Sequence, residues 1–354
     1  MQNSCSPCNA LNSTVIFCYK CTMKAIHMTA TGPATDVLRL VDVDAPAITR
    51  ATQIKVQLKA AGINPVDTKL RSRGVFYPDA LPAILGCDGA GVVTETGSEA
   101  RRFQPGDEVW FCHGGLGGAA GNYAEFTVLE ESGAESKPES LSFEEAAALP
   151  LVLITAWEAL FDRARLTASQ TVLIHAGAGG VGHVAIQLAK SVGARVATTV
   201  STPEKAALVQ HLGAERVFSY RERDFVKEAM EWTAGRGVDV ILDTVGGETF
   251  RRSLGAAATY GQVVTLLDPG HDVEWKEARN RNLGIHFTLM LTPMLQDLPE
   301  ARLHQGDILN QCAKLIDAGK LKPLISTTLP LEDAAKAHEL IEEGHVQGKI
   351  VLTL

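Results

Sequence analysis

Between the apolar run TVLIHA and the segment HVAIQLAKSV, glycines stand at 177, 179 and 182. Gly177-x-Gly179-x-x-Gly182, after a strand-like run and ahead of a helical one, is a spacing that brings backbone against a pyrophosphate. The first glycine permits a tight turn, the second a close approach, and the third close packing of helix on strand. Gly180 and Val181 complete a turn whose free N–H groups, with the positive end of the helix dipole, face the phosphates. Val181, Ala185, Leu188 and Val192 recur at helical spacing and give that helix its inward stripe. A glycine-rich turn without a ligand is the alternative. The preceding strand, the following helix and further strands downstream argue against it, so a dinucleotide is the expected ligand.

An NAD site carries Asp or Glu about 20 residues on, at the end of the second strand, to hold the ribose 2′-hydroxyl. Here that strand, RVATTV, runs into STPEK with no carboxylate at its end. Ser201 and Thr202 offer hydroxyls and Lys205 a positive charge at the next helix start, and Tyr220 ends the third strand. Singly, Lys205 reads as a solvated helix residue and Tyr220 as a strand-end aromatic. Together they favour a 2′-phosphate, and NADP(H) is the expected cofactor.

These groups need a scaffold. From about residue 168, apolar runs suited to buried strands (TVLIHA, RVATTV, RVFSY, VDVILDTV, QVVTLL, GIHFTLM) alternate with helical segments at 182–192, 204–212, 224–233 and 248–257. That alternation predicts βαβ units, a doubly wound parallel sheet and an α/β fold. Residues 24–150 instead carry short β-like runs broken by glycine and proline, predicting a mostly antiparallel β-rich domain. The expected organisation is an N-terminal extension over 1–22, the β-rich domain over 24–150, the dinucleotide domain over 151–290, and a segment over 291–354 with helices at about 305–318 and 332–343 and a last strand, GKIVLTL.

The net charge of −8 argues against nucleic acid or an anionic membrane as a partner. No apolar run approaches the ~18 residues of a membrane span, and the start lacks a secretory n-region and apolar core. A cytoplasmic protein is expected. Of seven cysteines, Cys5, Cys8, Cys18 and Cys21 form two C-x2-C pairs. Two readings fit them: a tetrahedral zinc site, or an extension ahead of the domain. The second is favoured by Met23, which opens the strand-like MKAIHM.

A second chemical question lies in ILGCDGAG. Cys87 and Asp88 have the types of metal ligands, or of a nucleophile and its base, or are two side chains with neither duty. The surrounding sequence bears on it. AGINPVDTKLRSRG over 61–74, PAILGCDGAGVV, FQPGDEV, GNYAEF, EEAAALPLVLITAWEAL, VLIHAGAGGVG, STPEK, VDVILDTVGG and QGKIVL follow one another in order. Through these blocks the chain resembles the medium-chain dehydrogenase/reductase superfamily, in its zinc-independent quinone oxidoreductase (zeta-crystallin-like) branch, over essentially residues 24–354.

The resemblance implies a GroES-like catalytic domain, a Rossmann domain, a C-terminal segment returning to the catalytic domain, and a homodimer. Zinc-dependent relatives carry Cys at the position of Asn64 and His-Glu at Cys87-Asp88. Catalytic zinc needs three protein ligands and an open position; Asn64 is a poor ligand and nothing near Thr155 supplies a third sulfur. No metal is therefore expected, and Cys87 reads as a small buried residue in a tight turn. Without a Lewis acid, hydride transfer suits acceptors that are already electrophilic. The expected function is NADPH-dependent reduction of quinones or α,β-unsaturated carbonyls. A zinc-dependent alcohol dehydrogenase and a non-enzymatic NADPH-binding protein are the alternatives.

The family pattern further implies Asn64, Asp67 and Tyr77 as catalytic candidates, with Phe76 an equal occupant of the Tyr77 position. Lys69 stands where relatives place a second tyrosine, a departure that alters the pocket. Thr155 falls beside the cofactor, Val245 in DTVGG on its adenosine side, Leu266 and residues 287–289 near the nicotinamide, and Lys349 in the C-terminal segment. His113 reads as a loop histidine without chemistry.

Overall fold

The computed structural model describes residues 22–77 and 79–354. Cys5, Cys8, Cys18 and Cys21, with the two readings attached to them, lie outside the described residues.

The N-terminal part is built on one long strand. A three-stranded sheet joins β1 (Thr22–Met28), β2 (Leu38–Asp44) and β4 (Ala83–Ile84), while β3 (Gln53–Ile63) organises the larger sheet. β3 pairs antiparallel with β5 (Asp88–Thr96) along its length; its first half also pairs with β7 (Phe126–Glu130), and its second half with β16 (Lys349–Thr353). β6 (Glu108–Cys112), β8 (Glu135–Ser136) and β15 (Ile325–Pro330) complete the order β15-β16-β3-β5-β6-β8. The burial of β3 follows this pairing, alternating through QIKVQLK and becoming continuous through AAGI. Gly62 is required there, because a Cβ would collide with the Ala147 carbonyl of the helix Phe143–Ala147 packed on the strand.

The second domain is a six-stranded parallel sheet. β9 (Thr171–Ile174), β10 (Arg195–Val200), β11 (Arg216–Ser219), β12 (Val238–Asp243), β13 (Ala257–Thr265) and β14 (Gly284–Phe287) lie in the order β11-β10-β9-β12-β13-β14. That is the doubly wound Rossmann order, with its switch point between β9 and β12, where ligands bind at the strand ends. The fold is thus α/β, with a Rossmann sheet and a GroES-like β-rich domain.

Among the helices that differ from expectation, two are informative. Helix Pro299–Asp317 begins six residues before 305. Its first buried residue is Gln305, so its opening turns carry no apolar period to read. Helix Pro65–Arg73 has only Val66 and Leu70 as apolar residues and no readable period either. A start signal fixes it instead: Asn64 precedes a proline at the first helical position, and the Asp67 carboxylate accepts the Asn64 N–H at 2.8 Å.

Candidate functional site

A cleft of about 320 Å³ separates the two domains, largely apolar, with the glycine loop on one wall and Asn64, Lys69 and Lys349 on the other. β9 ends at Ile174, and the chain turns through Ala176, which itself takes a positive φ of 51°. Gly177 is therefore needed for room rather than for the turn, since a Cβ there would collide with the Thr198 hydroxyl of β10. A Cβ on Gly182 would meet the Ala176 carbonyl and lie 2.6 Å from the Gly177 Cα, so this glycine lets helix Gly180–Ser191 close on the strand. Gly179 faces open space, with only the Ala176 oxygen near, at 3.2 Å from an added Cβ. The N–H groups of Gly180, Val181 and Gly182 open the helix and have no acceptor within it. An open cradle with free amides fits a pyrophosphate. From the other domain, Gly348 N–H donates to the Ala178 carbonyl at 2.8 Å and ties the C-terminal segment to this loop.

On the opposite wall lies a buried polar network. Asn64, Asp88 and Lys349 are all essentially inaccessible. Asn64 Nδ2 donates to Asp88 Oδ2 at 2.9 Å, and Lys349 Nζ donates to Asn64 Oδ1 while standing 3.6 Å from Asp88 Oδ2. The other Asp88 oxygen accepts the Leu151 N–H at 2.8 Å, at the start of helix Pro150–Trp157. Burial pushes the Asp88 carboxyl up and the Lys349 ammonium down, while each partly offsets the other's shift.

Beneath this network, Asp67 Oδ2 accepts the Tyr123 hydroxyl at 2.9 Å, and His338 Nε2 lies 3.4 Å from the same hydroxyl. Asp67 Oδ1 has no partner among the described residues. Burial raises the Asp67 carboxyl to about 7, against the lowering effect of the Asn64 N–H. The sign follows: between about pH 4 and pH 7 the unfolded chain has lost a proton that the folded state still holds, so stability from this group falls as pH rises through the window. Asp67→Asn is expected to remove a slope worth on the order of 4 kcal/mol across it. Melting temperatures of both proteins over pH 4–8 test this; curves that stay parallel refute it.

Cys87 is fully buried, and its thiol is pushed well up by Cys112 and by burial. A thiol so disposed is neither a ready metal ligand nor a nucleophile. Among the described residues no group of three His, Cys, Asp or Glu side chains is arranged to hold a metal ion. With Asn64 committed to Asp88 and Lys349, the residues do not fit a catalytic zinc.

The other expected site residues fall in several places. Leu266 lines the cleft with Gly179, Gly180, Val181 and Gly182. Thr155 is buried in its helix, its hydroxyl donating to the Leu151 carbonyl at 2.7 Å. Tyr220 N–H donates to the Val200 carbonyl, bringing the ends of β10 and β11 together, and its ring is exposed. Ser201 and Lys205 are half-buried, and Thr202 caps helix Pro203–Leu212 by accepting the Lys205 N–H at 3.3 Å. Val245 is exposed beyond β12, its N–H held by Asp243. Tyr77 lines a different cavity, with His113 and Arg302. Burial lowers the His113 imidazole to about 4. Tyr123 and His338 carry no sequence signal, being 215 residues apart.

A GroES-like domain joined to a dinucleotide-binding sheet is the architecture of the alcohol dehydrogenase superfamily. Residues 50–139 match the alcohol dehydrogenase GroES-like domain family and residues 212–352 the zinc-binding dehydrogenase family. Quinone oxidoreductase 1 of Escherichia coli (strain K12) is 35% identical, the alignment covering 87% of this chain and 93% of that one. The solved Escherichia coli quinone oxidoreductase complexed with NADPH superposes with a TM-score of 0.83 at 31% identity, covering 94% of this chain and all (100%) of that one. An alcohol dehydrogenase superfamily protein from Novosphingobium aromaticivorans gives 0.86 at 35% identity, with 94% and 100% covered. The chain belongs to the medium-chain dehydrogenase/reductase superfamily, in its quinone oxidoreductase branch. No helix among its described residues is long and apolar enough to cross a membrane.

Proposed function

We propose that this protein is an NADPH-dependent reductase of quinones or α,β-unsaturated carbonyls that works without catalytic zinc. The observation that carries the reading is the closed Asn64–Asp88–Lys349 network, which fills the cleft wall with mutually satisfied side chains where relatives need metal ligands. When bound, the dihydronicotinamide supplies hydride. The protein's own part is to hold the reactants and exclude water. Gly179 to Gly182 hold the pyrophosphate, and Leu266 and the apolar cleft walls exclude solvent. Lys349 keeps a positive charge near the oxygen on which negative charge develops. Asn64 is held rigidly by its two partners, and Asp67 orients it through the backbone N–H. Thr155 and Val245 serve the cofactor by packing and backbone. Tyr77 belongs to the substrate approach rather than to the cofactor wall. Ser201, Thr202, Lys205 and Tyr220 hold the 2′-phosphate. The open edge of β14, with Phe287 and Leu289 exposed beside it, supports pairing of two copies.

The test is NADPH oxidation with quinones, enones and simple aldehydes, with NADH as control and metal content measured in parallel. Turnover of quinones or enones with NADPH preferred is the expected result; turnover of simple alcohols or aldehydes dependent on zinc overturns the reading. Ser201→Asp, which puts a carboxylate at the end of β10, is expected to move the NADPH/NADH preference at least ~10-fold toward NADH. An unmoved ratio defeats the 2′-phosphate assignment.

A further inference from the structure

Four polar side chains line the cleft between the domains: Asn64, Lys69, Thr244 and Lys349. Three of them are committed. Asn64 bonds Asp88 and Lys349, Lys349 bonds Asn64 and faces Asp88, and the Thr244 hydroxyl donates to the His175 carbonyl at 2.8 Å. Lys69 is different. No hydrogen bond or ion pair among the described residues engages its ammonium; its backbone serves the helix and accepts the Ser72 hydroxyl.

We infer that Lys69 is the catalytic acid of enone reduction, delivering the proton that completes the reaction after hydride has arrived. The assignment rests on the reading of the protein as an enone reductase and names the group which that reading lacks. The geometry favours Lys69 in two ways. Its backbone is fixed by helix Pro65–Arg73, which the Asn64–Asp67 bond anchors at the cleft wall. Its flexible stem leaves the nitrogen reachable from solvent, where a spent amine regains its proton. The charged groups around it are Arg73 on its own helix and, on the same cleft wall, Lys349, which Asp88 offsets; Arg71 of the same helix is held by Glu342. Burial, and then the Arg73 charge, lower the ammonium from its ordinary value, which makes it a better acid than a free lysine.

The step balances. Hydride forms a C–H bond at the β-carbon while the C=C electron pair moves to give an enolate. The enolate α-carbon then takes the proton from Lys69 Nζ as that N–H bond breaks, leaving a saturated ketone and a neutral amine. Solvent returns the proton to the amine.

The experiment uses the full chain and an α-methyl cyclic enone with NADPH in D2O, following rate, product enantiomer and NADPH affinity by fluorescence titration. The unaltered protein is expected to give one α-deuterated enantiomer. Lys69→Met and Lys69→Arg are both expected to slow turnover by about 100-fold and give racemic product, with NADPH affinity unchanged. Lys69→Arg keeps the positive charge but not a readily transferable proton, so it separates acid catalysis from electrostatics. Retained enantioselectivity in both variants overturns the assignment, as does racemic product from the unaltered protein. Weakened NADPH binding with selectivity intact overturns it too and makes Lys69 a phosphate ligand. Turnover of quinones but of no enone overturns the assignment alone; if the unaltered protein turns over neither, the proposed function itself fails, and this assignment with it.

Discussion

Gly182→Val is expected to fold and yet to lose at least ~100-fold in NADPH affinity, because losing one or two amide–phosphate hydrogen bonds, each worth about 1.5–3 kcal/mol, costs that much. An added Cβ collides with the Ala176 carbonyl and lies 2.6 Å from Gly177 Cα and 2.9 Å from Gly177 C. All three are backbone atoms and none can swing aside. The loop must open, taking with it the amides of Gly180 and Val181 that face the cleft. Gly179→Ala is the informative comparison. Its Cβ meets only one protein atom, at 3.2 Å, so any loss it causes comes from the ligand's side rather than from packing. Fluorescence titration of NADPH with thermal unfolding of each variant makes the comparison. Unchanged affinity in Gly182→Val would sink the account of the loop.

Lys349→Met is expected to cost about 3–5 kcal/mol of stability, since it leaves the Asp88 carboxylate buried without its counter-charge. Asp88 is 0% exposed and Lys349 2%, so water cannot compensate in place. Burial already disfavours both charged forms, which means the pair is held by geometry and mutual attraction rather than by a surplus of either. Adding Asp88→Asn should therefore recover most of the loss, because it removes the orphaned charge. Urea unfolding of the single and double variants reads this directly. A double variant no more stable than Lys349→Met alone would mean that the lysine acts through packing.

The sequence made some of this legible and hid the rest for physical reasons. The glycine spacing and the strand–helix alternation are local, and they led to the Rossmann order and the switch-point cleft. The spacing makes Gly177 a turn residue; the structure gives the turn to Ala176 and uses Gly177 for contact with Thr198, which a spacing rule cannot foresee. The apolar pattern starts helix Pro299–Asp317 six residues late because its opening turns bury nothing. The resemblance singles out Asp67 but not its partners Tyr123 and His338, because nothing local distinguishes a buried tyrosine from any other aromatic residue. Lys349 was anticipated near the cofactor, but its bond to Asn64 spans 285 residues and only the tertiary structure reveals it.

That span sets the order of assembly. β16 closes the edge of β3 and brings the only counter-ion paired with Asp88 among the described residues, yet it is made 285 residues after Asn64. At about 5–20 residues per second, some 15–60 s separate synthesis of Asn64 from that of Lys349. Throughout that interval the nascent β-rich domain carries an open strand edge and an unpaired acid, so it is completed only after the dinucleotide-binding sheet has been made. Nascent chains halted short of residue 349 should be the aggregation-prone species, and chaperone engagement should end once β16 has paired with β3.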